Sequence, residues 1–278
     1  MRKELMILGL LLAAQLNAAS KNPTSKIYVA DVDGQAQIDI GNQVADLTKK
    51  SVYNAQGTII ETKPKAFNAM VYSNGTGIFF DEDTRVEVKK FEQEPFVPNR
   101  TDMDVEPSVS QTKAYLAHGM VGICTNKLVA GSSMVYSTQS CSANIRNGKV
   151  TIKNEKNTTC ISLLEGNLTV NVGNINQGGK SLKEGEQAII TENGPGKLPI
   201  VTIQRIPEKE LPQLLDKVTL ACQGKKTVYF DVRTKIENAF NPPGATPRSK
   251  EIEQVIVVIP LLPTNLPLQN DASPNTIH

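Results

Sequence analysis

Tryptophan is missing from this 278-residue chain, and histidine occurs only twice, at His118 and at the C-terminal His278. A Ser–His or Cys–His couple would have to draw on the one internal imidazole. Ser132 and Ser133 stand at no recognisable spacing from it, so no catalytic residue is nominated. Without indole faces a sugar-stacking cleft is disfavoured, although six Tyr and seven Phe remain. Charge of one sign is also lacking: 30 basic residues face 28 acidic ones, for a formal net charge of +2. Lys49-Lys50, Lys89-Lys90 and Lys225-Lys226 are isolated pairs, so nucleic acid is not an expected partner. The four cysteines, Cys124, Cys141, Cys160 and Cys222, are separated by 17, 19 and 62 residues and match no zinc spacing. No metal and no cofactor is expected. Beyond the N-terminus no apolar run is long enough to cross a bilayer, which needs about 20 residues. Val255 to Ile259 is the best of them, five residues closed by Pro260, so stable membrane insertion is not expected.

The N-terminus carries a targeting signal. Arg2 and Lys3 precede an apolar run from Leu5 to Ala14, and Leu16-Asn17-Ala18 supplies a small-residue cleavage site. This is the layout of a secretory leader, residues 1–18, and it predicts a periplasmic or secreted protein starting near Ala19. In an oxidising compartment an even cysteine count suggests disulfides, with three pairings open. Cys124, Cys141 and Cys160 fall in successive predicted strands where their Cβ atoms could stack. The alternative is that they are small buried apolar residues.

Between Gly57 and Phe91 the chain alternates short apolar runs, Ile59-Ile60, Met70 to Tyr72, Ile78 to Phe80 and Val86 to Val88. Lys63-Pro64, Ser73-Asn74-Gly75 and Asp81-Glu82-Asp83 separate them. Period-two alternation bounded by turn residues predicts half-buried strands. The rhythm resumes from Ala114 to Ile190, with Asn147-Gly148 the strongest hairpin signal. The expected fold is therefore mainly β, a compact β-roll or sandwich-like domain of short, Gly-cornered strands over residues 52–192. Residues 19–51 read as an N-terminal hairpin, turning at Asp33-Gly34, and a linker. Glu92 to Ser110 is Pro- and acid-rich and predicts a long surface connection or a poorly pairing edge.

Four of these segments carry a resemblance. L-x-x-G-x-V at Leu116 to Val121, V-x-S-T-x-x-x-x-A-x-I-R at Val135 to Arg146, L-x-E-G-x-L-x-V at Leu163 to Val170, and L-x-x-G-E-Q-A at Leu182 to Ala188 follow in order. In order and spacing they resemble the FecR domain, the periplasmic β-domain of ferric-citrate-type anti-sigma regulators and of stand-alone secreted bacterial proteins. This chain departs from the family at Gln139, where Pro is usual, and at Arg146-Asn147-Gly148, where Arg-Gly-Thr is usual. It also carries a leader where sensory members have a sigma-binding segment and a membrane helix. The resemblance implies a free-standing, non-catalytic module that binds a protein or envelope component, with a signalling role as one form of that function.

Residues 193–278 differ in character. Leu211, Leu214, Leu215, Val218 and Cys222 recur at helical spacing between Pro207 and Lys226. They predict one amphipathic helix covering an open end of the β-domain. Asn241 to Lys250 reads as linker, and the Pro-rich tail follows Pro260. Phe91, Phe96 and Val97 are candidate partner-binding residues beside or within the long connection, with pinning of that loop to the sheet as their other reading. Asp81-Glu82-Asp83 lacks the spaced ligands of a Ca²⁺ loop. The competing function is a polysaccharide-acting enzyme using a carboxylate pair such as Asp83 and Glu87.

Overall fold

The computed structural model describes residues 25–96, 104–173, 179–194, 196–235 and 253–260. The predicted leader, Val97 and the Pro-rich tail lie outside them. In the first half of the chain the strands are β1 (Lys26–Asp33), β2 (Ala36–Asp39), β3 (Val44–Asp46), β4 (Val52–Asn54), β5 (Ile59–Thr62), β6 (Phe67–Tyr72), β7 (Gly77–Phe80) and β8 (Thr84–Gln93). The second half holds β9 (Ser110–Thr125), β10 (Ser133–Ser137), β11 (Cys141–Glu155), β12 (Thr158–Val172), β13 (Lys180–Leu182), β14 (Glu186–Thr191) and β15 (Ile200–Arg205). Helix α1 (Leu211–Lys226) and the strands β16 (Val228–Lys235) and β17 (Glu253–Pro260) follow.

Among the described residues the fold is mainly β with one helix, and none of those between 52 and 192 is helical. Fifteen strands form one open sheet along the path β15-β14-β12-β11-β10-β9-β7-β6-β1-β4, with β13 on β12 and a branch β8-β5-β2-β3 leaving β9. β9 organises this sheet. Its first half pairs with β8 and, in parallel, with β10, while its second half pairs with β7 and β11.

Three expectations are corrected here. β1 and β2 are not a hairpin: β1 lies between β4 and β6, and β2 lies between β3 and β5. Residues 26–46 thus belong to the main sheet, as does β15, beyond the expected limit at residue 192. Nor are the strands uniformly short, since β9, β11 and β12 run 16, 15 and 15 residues. Finally, Asn147-Gly148 turns no hairpin. β11 runs through it, and Gly148 faces Gly166 of β12 with register shifts on both sides. Gly148 and Gly166 have φ of 109° and 104°, and a Cβ on Gly148 would lie 2.0 Å from the Glu165 carbonyl. Both glycines therefore make a shared bend in a long strand pair, a role that the same backbone freedom serves.

Alternation along the central strands divides the sheet into two buried faces. Met70, Tyr72, Ile78, Phe80, Val121 and Ile123 point into the main core. Ala69, Val71, Phe79 and Cys124 point the other way. That second face explains the unbroken Ile-Phe-Phe run of β7, which is buried on both sides. It is covered by α1, through Val218 and Ala221, and by Val228 and Phe230 of β16. The helix thus lies across a sheet face, where an end cap was expected. It also begins later than Pro207, leaving Glu208 and Glu210 before its first turn, while Lys225 and Lys226 occupy its last. The approach is close because the strands beneath lack side chains: a Cβ on Gly77 would stand 2.0 Å from the Ala221 carbonyl, and one on Gly122 would stand 3.0 Å from that of Lys217. A 2.7 Å ion pair, Lys217–Asp81, seals one flank.

Candidate functional site

Two of the expected partner-binding residues are interior. Phe91 is fully buried in the main core and stacks on Tyr72 with ring centroids 4.7 Å apart. Phe96 packs with Tyr28, Val71 and Phe230 on the second face. Period-two alternation along β8 turns Phe91 inward, and Phe96, just past that strand, is buried by its cluster. Val97 lies outside the described residues.

The cysteines resolve into one bridge. Cys124 of β9 is joined to Cys222 of α1, with Cα atoms 5.2 Å apart, and Cys141 and Cys160 are free. Stacking of Cys124, Cys141 and Cys160 therefore gives no disulfide, because their strands present them to different surroundings. Burial raises the thiol pKa of both Cys141 and Cys160, which disfavours the nucleophilic thiolate.

The acidic turn is engaged elsewhere. Asp81 pairs with Lys217, and the Glu82 carboxylate accepts the Lys65 amide at 2.9 Å. Asp83 sits on the turn with its side chain 75% exposed, and Glu87 lies on β8 within 3.9 Å of Lys89. Asp83 and Glu87 do not line the cleft described below.

Two features were not legible as sites. The first is the outer edge of β15. Among the described residues β15 pairs with β14 alone, and Ile200 and Ile203 are 55% and 37% exposed, with Leu198 just before them. An open cleft of about 740 Å³ lies at the strand ends on the other side of β14, lined by Gln139, Ser140, Asn157, Glu192 and Lys197 among others, with Leu198 and Pro199 leading from it into β15. The edge of β15 itself suits an extended polypeptide.

The second feature is a buried polar node where the β6–β7 turn, the end of the long connection and the loop after β9 meet. The Glu106 carboxylate is 3% exposed and accepts bonds from Asn74 Nδ2 (3.3 Å), the Ser110 hydroxyl and the Val129 amide (3.1 Å). Ser110 N donates to the Ser132 hydroxyl at 2.9 Å, and Asn74 Oδ1 accepts the Thr76 amide at 3.1 Å. This is where Ser132 finds its role. Glu106 also ties the long connection down, which composition alone placed on the surface. Burial raises its pKa, partly offset by bonds from Ser110, Ser132, Val129 and Asn74. A carboxyl whose folded pKa is raised stabilises the fold in acid and loses that contribution as pH climbs past its ordinary value. Glu106→Gln should therefore gain melting temperature relative to the natural chain as pH rises above the ordinary Glu value of about 4.3. A difference that stays constant with pH would contradict this.

No protein-family model matches the chain, and no curated protein does. Two crystal structures of a candidate anti-sigma factor from Parabacteroides distasonis ATCC 8503 are similar at 12% identity, with TM-scores of 0.41 and 0.40. The likeness covers 56% of this chain and 63% and 64% of theirs, so the chain spans less than two thirds of their length. A likeness of that size assigns no function. Among the described residues no helix is long and apolar enough to cross a membrane.

Proposed function

We propose that the protein is a non-catalytic extracytoplasmic module that holds a protein partner by adding that partner's extended segment to β15. The observation that carries this reading is the exposure of Ile200 and Ile203 on β15, which among the described residues pairs on one side only. Main-chain pairing along such an edge supplies affinity, and alternate side-chain positions supply selectivity. The Cys124–Cys222 bridge supports an oxidising location, in keeping with the leader. The FecR resemblance supports a role at the cell envelope, with signalling as its finer form.

Charged residues on an edge strand oppose strand addition. Ile200→Lys with Ile203→Lys should lower capture of the native envelope partner by at least about tenfold, equivalent to about 1.4 kcal/mol. The melting temperature should change little, since both positions are exposed. Undiminished capture by the folded variant would refute the β15 assignment.

A further inference from the structure

The disulfide has a neighbour of a different chemistry. Cys124, near the end of β9, and Asn126, just past it, are two residues apart and both meet α1. Cys222 and Lys225 are three apart on α1, and so share a stripe. Docking the helix through the first pair brings the second together: Lys225 Nζ donates to the Asn126 side-chain carbonyl. Asn126 is 8% exposed, and its Nδ2 lies against the β6–β7 turn, where a Cβ on Gly75 would come within 2.9 Å. Thr76 and Thr125, hydroxyls 2.9 Å apart and both buried, close the site from below. The half-buried Lys225 amine and the buried Asn126 carboxamide are thus held in contact, with the Asp104 carboxylate interacting electrostatically with the amine.

We propose that Lys225 and Asn126 become joined by an intramolecular isopeptide bond, formed by attack of the Lys225 amine on the Asn126 carboxamide with release of ammonia. Nζ adds to Cγ as the carbonyl electron pair moves to Oδ1. Collapse of that adduct re-forms the carbonyl and breaks the Cγ–Nδ2 bond. One proton passes from Nζ to Nδ2, and Nδ2 leaves as ammonia. Atoms and charge balance without an oxidant or any other reactant. The attacking amine must be neutral, and burial lowers the Lys225 pKa in that direction, against the opposing pull of Asp104. Fixed contact supplies what the poor leaving group requires, since oriented neighbours react at effective concentrations far above any in solution. The product fastens α1 to β9 by a bond that, unlike the adjacent disulfide, survives reduction.

Peptide mapping of the purified full-length protein tests this. After reduction, alkylation and trypsin, residues 114–127 and 218–226 should be recovered as one branched species. It should be lighter than their sum by about 17 Da, the mass of ammonia. Cleavage after Lys225 should be lost. In Asn126→Ala the branched species should vanish while the Cys124–Cys222 bridge persists in an unreduced digest. Recovery of the two peptides separately, with trypsin cutting after Lys225 and Asn126 intact or deamidated, would overturn the proposal.

Discussion

Replacing Phe91 with alanine should cost about 3–5 kcal/mol, the range for emptying a fully buried aromatic site. For a chain of this size each kcal/mol corresponds to about 2–4 °C in melting temperature, so a fall on the order of 10 °C is expected. The ring has nowhere else to go. It is wholly buried beneath the sheet, its face covered by Tyr72, and its own strand is held between β5 and β9. Partner capture per folded molecule should not change at low temperature, because the side chain touches no surface. Thermal denaturation with parallel capture measurements distinguishes this from a docking role. An unchanged melting temperature with capture abolished would reverse the assignment.

The second large effect concerns the helix. In a chain carrying Asn126→Ala, the disulfide is the remaining covalent tie between α1 and β9. Its two cysteines are 98 residues apart in sequence. Removing it there, with Cys124→Ala and Cys222→Ala, releases a constraint worth about 4–5 kcal/mol in the chain-entropy model, less whatever order the unfolded chain retains. The loss should appear first at α1. The glycine-floored contact at Gly77 and Gly122 depends on tight seating, and few large side chains reinforce it. Hydrogen exchange should show the α1 amides opening before those of β11 and β12. Uniform protection of α1 in the triple variant would mean that packing alone seats the helix.

Much of the architecture was legible because it rests on local alternation. Ile59-Ile60, Met70 to Tyr72 and Ile78 to Phe80 fall in β5, β6 and β7, and the helical stripe from Leu211 to Cys222 falls in α1. What local pattern does not carry is pairing. The strand β1 reaches past β2 to β4 and β6, and the sequence turns at Asp33-Gly34 and Asn147-Gly148 look alike whether the chain reverses or merely bends. Pairing partners lie dozens of residues away, and the free energy that selects them comes from shared burial. The site was less legible for the same reason. Phe96 reads as an exposed aromatic in a polar stretch, yet it is claimed by a cluster assembled from β1, β6 and β16. Lys225 and Asn126 stand 99 positions apart, and only the docked helix makes them neighbours. A hint did exist: Cys124 and Cys222 each lie within three residues of them, so pairing those cysteines would have brought the amine and the amide into view.

The measurement that bears most directly on the proposed function is amide hydrogen exchange along β15 with and without the partner recovered from the native envelope. Among the described residues, 200–205 pair only with β14, so in the isolated protein the amides that point away from β14 should exchange quickly. If the partner adds a strand there, those amides should slow by at least about tenfold in the complex, while the helix α1 exchanges as before. Protection appearing elsewhere, with residues 200–205 exchanging at the same rate in both states, would contradict the account.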